Sequence, residues 1–281
     1  MLRIAVPNKG SLSESATTML KEAGYAVRRD SKELVLTDAD NDIEFFYLRP
    51  RDIALYVGSG TLDGGITGRD LLLDSGSDAV ETMALGFARS TFRFAGRDGA
   101  ASSITDLAGS RIATSYAGLV RSHLAEHGVD ASVVRLDGAV ETSIMLGVAD
   151  VIADVVQTGT TLRNQGLAVF GDAILTSEAV LIARPDTAHD PALKVLQRRL
   201  HGVITARDYV MVDYDVRVEL VEQACAITPG LESPTVSPLH DKGYVAVRAM
   251  VPRRGMNKVM DDLYLLGARA ILVTDIAACR L

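Results

Sequence analysis

The chain has 281 residues, a length that suits one large domain or two to three of ordinary size. Hydrophobic residues make up 48% and charged residues 23%, which excludes long disorder and low-complexity or collagen-like chains. The 29 basic and 36 acidic residues leave a formal charge of -7, which argues against a general nucleic-acid binder. Trp is absent and aromatics are 5%, which argues against stacking platforms for single strands or sugars. An anionic ligand must therefore be held by local groups and not by the field of the whole protein.

Cys225 and Cys279 cannot form a disulfide framework or a structural zinc site. The opening MLRIAVPNKG shows no basic leader, long apolar core or cleavage site, and no uncharged stretch is long enough to span a bilayer. The expectation is a cytoplasmic protein with neither membrane nor nucleic acid as a partner.

In chain order, residues 2–7 read as a buried strand and Asn8-Lys9-Gly10 as the turn after it. Ser11 and Glu14 form a capping box for a helix carrying Leu12, Ala16, Met19, Leu20 and Ala23, closed by Gly24. Strands follow near 34–37 and 43–48, then a short helix opened by Pro50 that runs to Gly58 or Gly60. A strand at Gly64–Thr67 leads into a helix opened by Gly68-Arg69-Asp70, and apolar strands lie near 82–87 and 91–96. From 111 the order is strand RIATS, helix 116–127, strand SVVRL, helix 138–147, strand VIADVV and a Thr/Gly turn. This alternation implies parallel βαβ units, and the unbroken apolar strands imply a sheet covered on both faces.

The chain echoes itself. Gly60-Thr-Leu-Asp63 leads into Thr67-Gly68-Arg69-Asp70-Leu71, and Gly147-Val-Ala-Asp150 leads into Thr158-Gly159-Thr160-Thr161-Leu162. Two α/β lobes with matching strand-to-helix turns would enclose a cleft, where open parallel sheets bind ligands. After a helix around 191–206 the rhythm changes to strand 209–216, helix 217–226, strands 234–239 and 243–251, helix 255–267 and strand 270–275. That βαββαβ order is the ferredoxin-like arrangement.

Asp150 to Leu162 is the segment richest in chemistry. Its apolar strand delivers small hydroxyl residues and glycine to a helix start, where backbone N–H groups and threonine hydroxyls could cradle a phosphate. Asp154 is placed to hold ribose hydroxyls. The alternative is an ordinary capped turn. Lys9, Arg49, Arg51 and Arg69 all follow strands or open helices, so they could gather at one sheet edge, although each alone also reads as a solvated charge. His123-Leu-Ala-Glu126-His127 matches the H-x-x-E-H pattern of some zinc proteases. The position of His127 directly before Gly128 favours a helix C-terminal cap, and no third ligand is evident.

Taken together, these segments resemble the ATP phosphoribosyltransferase family of histidine biosynthesis, in its long form with a regulatory C-terminal domain. The matching blocks are IAVPNKG, FFYLRPRDIALYV, LDGGITGRDLL, RIATSY, LDGAVETS, GVADVIADVVQTGTTL, AITPGLESPTVSPL and VAVRAMVPRR, spread over nearly the whole chain. The fold implied is α/β: a two-lobed catalytic domain like the periplasmic binding proteins, plus a ferredoxin-like regulatory domain. Residues 1–90 with 179–208 would form the first lobe, 91–178 the second, and 209–281 the histidine-binding module.

The reaction implied condenses ATP with 5-phosphoribosyl 1-pyrophosphate (PRPP), with Mg2+ as cofactor, to give N1-(5-phosphoribosyl)-ATP and pyrophosphate. By the same resemblance, Thr158, Gly159, Thr160, Thr161 and Leu162 form the 5-phosphate loop and Asp154 lies beside the ribose. Lys9, Arg49 and Arg51 lie near the phosphates, with Arg69 beside them, and Asp70 and Leu71 line the nucleotide site. Glu141 is an active-site carboxylate, and Asp215, Leu231, Thr235 and Ala270 line a pocket for inhibitory histidine. A homo-hexamer in exchange with dimers is implied, with AMP as a further ligand. The chain departs from the family pattern at Arg51, where Lys is expected, and at Thr160, where Arg is common. Two other readings stay open: a two-lobed effector binder, and a phosphoribosyltransferase acting on another base.

Overall fold

Leu2–Pro7 form β1, in which Ile4, Ala5 and Val6 are fully buried, as expected of a central strand covered on both faces. The structure is a computed structural model describing residues 1–28, 32–156 and 159–280. Around β1 the chain builds α1 (Gly10–Glu22), β2 (Val35–Asp38), β3 (Ile43–Leu48), α2 (Pro50–Gly58), β4 (Gly64–Gly68), α3 (Arg69–Ser75) and β5 (Val80–Ala84). α1 starts one residue before the expected cap, at Gly10, whose φ of +76° suits glycine.

The chain then crosses to a second sheet. Its elements are β6 (Ser90–Arg97), β7 (Arg111–Thr114), α4 (Ala117–Glu126), β8 (Ser132–Arg135), α5 (Thr142–Met145), β9 (Val151–Val156), α6 (Thr160–Asn164) and β10 (Leu167–Ser177). It returns through β11 (Ala179–Ala183) to the first sheet. The helix expected at 138–147 shrinks to α5, because Gly138 (φ +149°) and Ala139 (φ +49°) have backbone angles no right-handed helix can contain.

The first sheet has the order β2-β3-β1-β4-β11-β5 and the second β10-β6-β9-β7-β8. With β2 set aside, the two orders coincide when one is reversed. In each, three parallel strands are followed by an antiparallel strand, β11 or β6, that arrives from the other sheet. The sequence echo falls on equivalent places in this pattern, β4 into α3 and β9 into α6. The acidic residue before each of these strands also does the same work. Asp63 accepts the Arg3 N–H at 2.7 Å and donates its own N–H to the Arg3 carbonyl at 2.9 Å. Asp150 does both to Arg111, at 2.9 Å each way.

Separate apolar clusters fill these sheets. Ala5, Ile53, Val57, Leu62 and Val180 pack on the first; Phe92, Phe94, Leu107, Ile112 and Val120 pack on the second. Both sheets belong to one compact unit, Met1–Lys21 with Tyr25–Gln197. The other unit comprises Glu22–Gly24 and Arg198–Leu281, so the division falls within α7 (Pro191–Asp208).

The second unit contains β12 (Tyr209–Arg217), α8 (Val221–Ile227), β13 (Thr235–Pro238), β14 (Tyr244–Pro252), α9 (Met256–Leu266) and β15 (Arg269–Asp275). The sheet order β13-β14-β12-β15, antiparallel throughout, is that of a ferredoxin-like domain. The fold class matches the expectation in both units. Among the described residues no helix is long and apolar enough to cross a membrane.

Candidate active site

The C-terminal ends of β1, β3 and β4 in one sheet, and of β7 and β9 in the other, deliver a set of charged groups. Register pairs Pro7 with Leu48, and the Asn8 N–H donates to the Leu48 carbonyl at 2.8 Å. Lys9 and Arg49 therefore leave neighbouring strand ends, and both are exposed. Arg49 is the extended residue before Pro50, which supplies the fixed φ at the start of α2. The Asn8 side-chain oxygen is buried there without a hydrogen-bond partner.

Arg51, in the first turn of α2, donates to the Asp74 carboxylate at 2.7 Å, and its guanidinium lies 4.9 Å from the centre of the Tyr116 ring. The planar, delocalised cation makes both contacts at once, which the ammonium of the expected Lys does less well. Tyr116 also meets Phe92, edge to face at 5.1 Å. Its phenol lies beside the Asp70 carboxylate.

Asp70 sits at the start of α3, where the positive end of the helix favours a carboxylate. Its Oδ1 accepts the Leu71 N–H at 2.9 Å, while its own N–H donates to the Ser177 hydroxyl at 3.1 Å. Gly68 makes room: a Cβ there would collide with Asp70 Oδ1. Burial pushes the Asp70 carboxyl above the usual carboxylate range, against the opposing hydrogen bonds from the Leu71 amide and Ser177. Leu71 is itself buried.

Asp154, on β9, shares this environment. Burial raises its carboxyl, opposed by the Val155 N–H at 2.8 Å and reinforced by the negative charges of Glu141 and Asp70. Glu141 precedes α5 and is half-buried. Burial also drives the Tyr116 phenol well above its ordinary value, with the charge of Asp70 adding to it and that of Arg51 opposing. Arg51, Asp70, Tyr116, Glu141 and Asp154 thus form one electrostatic cluster drawn from both sheets. Such a cluster can stabilise positive charge that develops on a ligand in a site shielded from water.

The phosphate-turn residues divide. Thr158 lies outside the described residues. Gly159 takes a left-handed φ of +68°, which glycine adopts without strain, and Thr160 and Thr161 open α6 on exposed positions with Leu162 buried beneath them. Arg163 donates to the Thr160 hydroxyl at 3.3 Å, so a guanidinium lies against the turn although position 160 carries none. Arg69 is turned elsewhere. It holds Glu81 through two bonds of 2.7 Å and donates to the Thr176 carbonyl at 3.2 Å, bracing the crossover strand.

Sequence reading passed over Tyr116, Asp74, Ser177 and Arg163. Tyr116 ends the RIATSY block, at the same strand-to-helix position as the named sites, and that place was the available signal. Asp74 and Ser177 are far from the cluster in sequence, and nothing local marked them.

In the second unit, Asp215 lies on β12 opposite Arg269, beside an irregularity in the pairing with β15. Ala270 on β15 holds a φ of +48°, unusual for alanine. Leu231 and Thr235 line a cavity of about 440 Å³ with Met211, Glu232 and Arg248. Ala270 lines a different hollow, of about 500 Å³, with Met260 and Tyr264. β13 and β15 are opposite edges of this sheet, three strand spacings or about 14 Å apart.

Residues 49–202 match the family model described as ATP phosphoribosyltransferase, and residues 206–278 match the model of the HisG C-terminal domain. An ATP phosphoribosyltransferase of Streptomyces coelicolor is 67% identical, and one of Kocuria rhizophila 66%, each over 100% of both chains. Among solved structures, the ATP phosphoribosyl transferase (HisG:HisZ) complex from Thermotoga maritima superposes with a TM-score of 0.63 at 28% identity. That alignment covers 73% of this chain and 98% of the other.

Proposed function

The chain belongs to the ATP phosphoribosyltransferase family, a family of pentosyltransferases in histidine biosynthesis, and on that footing we propose that it condenses ATP with PRPP. Adenine N1 attacks the anomeric carbon of PRPP, the bond from that carbon to the pyrophosphate oxygen breaks, and N1-(5-phosphoribosyl)-ATP and pyrophosphate leave. The observation that carries this reading is the cluster of Arg51, Asp70, Tyr116, Glu141 and Asp154 across two sheet edges.

Displacement at an anomeric carbon passes through a state with oxocarbenium character. Asp154 and Glu141 supply negative charge beside the ribose, where that positive charge develops. Lys9, Arg49 and Arg51 bind phosphate oxygens from the rim. The Gly159–Leu162 turn, with Arg163 against it, receives the 5-phosphate. Asp70 and Leu71 hold the nucleotide, with the Asp70 carboxylate fixed by the Leu71 amide. Mg2+ would be held mainly through the substrate phosphates, with Glu141 available as a further hard oxygen donor. Bound there, Mg2+ would supply charge neutralisation for the departing pyrophosphate. No histidine is assigned a role, because the chemistry rests on positioning and charge.

Histidine is proposed as the feedback inhibitor and the second unit as its receptor. A single side chain of histidine cannot reach from Leu231 and Thr235 on one sheet edge to Ala270 on the other. The pocket is then closed by a second copy of the chain, which links inhibition to a hexamer assembled from dimers. Histidine acts through its differential affinity for two states of that assembly.

Mass detection of the product tests the reaction. Phosphoribosyl-ATP formed from ATP and PRPP, with no product from adenine or other bases, supports it; transfer to another base in preference to ATP overturns it. For the sensor, Asp215→Ala is expected to remove inhibition by histidine while leaving uninhibited turnover intact.

A further inference from the structure

We propose that His123, Glu126 and His127 form a zinc-binding site at the C-terminal end of α4, separate from the transfer site. One ligand atom from each side chain lies within 4.8 Å of the other two. The residues follow the i, i+3, i+4 spacing that sets side chains on one helix face. The sequence shows no evident third ligand; in the structure the Glu126 carboxylate comes within the same distance as the two imidazoles.

His127 is the residue that ends α4, as its place before Gly128 suggested. Its Nδ1 lies 2.8 Å from the His123 carbonyl oxygen. A carbonyl only accepts, so Nδ1 carries the proton, and in the neutral ring Nε2 is the atom that offers a lone pair. This is the arrangement by which metal-binding histidines are commonly oriented. The two imidazoles stand 4.4 Å apart between ring centres, and the inner one, His123, rests 6.1 Å from the Phe94 ring. One partner is thus held by the core while Glu126 and His127 are exposed and can turn.

Zinc ligands in a tetrahedral site sit about 3.4 Å apart, given bonds of about 2.0–2.1 Å. The side chains of Glu126 and His127 can close the remaining distance without moving the helix. The negative end of α4 favours a cation at this place. Two imidazoles and a carboxylate select zinc over Mg2+, which demands an octahedron of oxygens. Solvent water fills the fourth position at this exposed end.

The site lies at the far end of α4 from Tyr116, about 15 Å along ten residues. It therefore stands or falls apart from the proposed transfer reaction. The test is calorimetric titration of the full, chelator-treated chain with Zn2+ in excess Mg2+, which occupies oxygen sites. One bound zinc is expected, with affinity weakened at least about tenfold in His127→Gln, and likewise in His123→Gln. His127→Gln alters an exposed position, and its melting temperature without zinc verifies that the fold is kept. Co2+ in place of Zn2+ is expected to give visible absorption bands that vanish in either variant. Zinc binding of unchanged stoichiometry and affinity in His127→Gln, or no binding to the unaltered chain, overturns the proposal.

Discussion

The Asp74 carboxylate, at the end of the helix that follows β4, accepts the Gly118 N–H in the first turn of α4 at 2.8 Å. It also accepts the Leu119 N–H at 3.2 Å. A helix attached to the second sheet is therefore capped by a residue from the first. The other carboxylate oxygen of Asp74 holds Arg51. One side chain thus joins the two sheets and orients a cation of the proposed site.

Asp74→Ala removes both functions. Loss of the cap alone costs about 0.5–2 kcal/mol, and the freed Arg51 is expected to raise the KM for PRPP. Asp74→Asn retains an acceptor for α4 and should lose less stability, while weakening the hold on Arg51. Urea denaturation and steady-state kinetics on the two variants separate the cap from the ion pair.

Gly118→Ala places a Cβ against the Asp74 carbonyl oxygen, which is main chain and cannot swing aside. In an exposed helix this change usually stabilises by about 1 kcal/mol. Here the expected outcome is destabilisation of about 1–3 kcal/mol, read as a fall in the urea midpoint.

Arg51→Lys keeps the charge but loses the planar contact over Tyr116. A several-fold rise in the KM for PRPP with little change in melting temperature is expected. An unaltered KM would show that the guanidinium shape does not matter at this position.

Arg163→Ala strips the guanidinium from the Gly159–Thr160 turn. Since Thr160 contributes no charge, the KM for PRPP should rise by about tenfold while that for ATP stays near its starting value, consistent with loss of one charge-assisted bond. Comparable rises for both substrates would argue against a role confined to the 5-phosphate.

The dependence of stability on pH has two opposite components. Asp70 is raised in the folded chain, so between the unfolded carboxylate value of about 3.9 and the raised value the folded state binds more protons. Stability relative to Asp70→Asn should therefore fall as pH rises through that window. Asp150 is held down to about 2 by hydrogen bonds from the Arg111 side chain and backbone. Its contribution is complete above about 3.9 and is lost as pH falls toward 2. Denaturation of Asp70→Asn and Asp150→Asn across pH 2–7 should give slopes of opposite sign relative to the unaltered chain, by about one proton at most for each site.

Much of this arrangement was legible because strand and helix signals lie close together in the sequence. Pro50 and the apolar run after it mark α2, Gly267 ends α9, and the βαββαβ order emerges element by element. The repeated Asp-strand-turn pattern marked equivalent places in the two sheets, down to the paired clamps of Asp63 and Asp150. What escaped depends on distant partners. The commitment of Arg69 to Glu81 depends on how β5 lies beside the crossover, and the link from Asp70 to Ser177 spans 107 residues. Backbone conformation hid the rest: LDGAVETS reads as helical until Gly138 and Ala139 take positive φ.

The site shared by the two sheets is proposed to transfer phosphoribose to ATP. Pyrophosphate release from ATP and PRPP with Mg2+, by the unaltered chain and by Asp154→Asn, tests it most directly. Steady release is expected, falling by at least about 100-fold in the variant at an unchanged melting temperature. No release by the unaltered chain, or equal release by the variant, would contradict it.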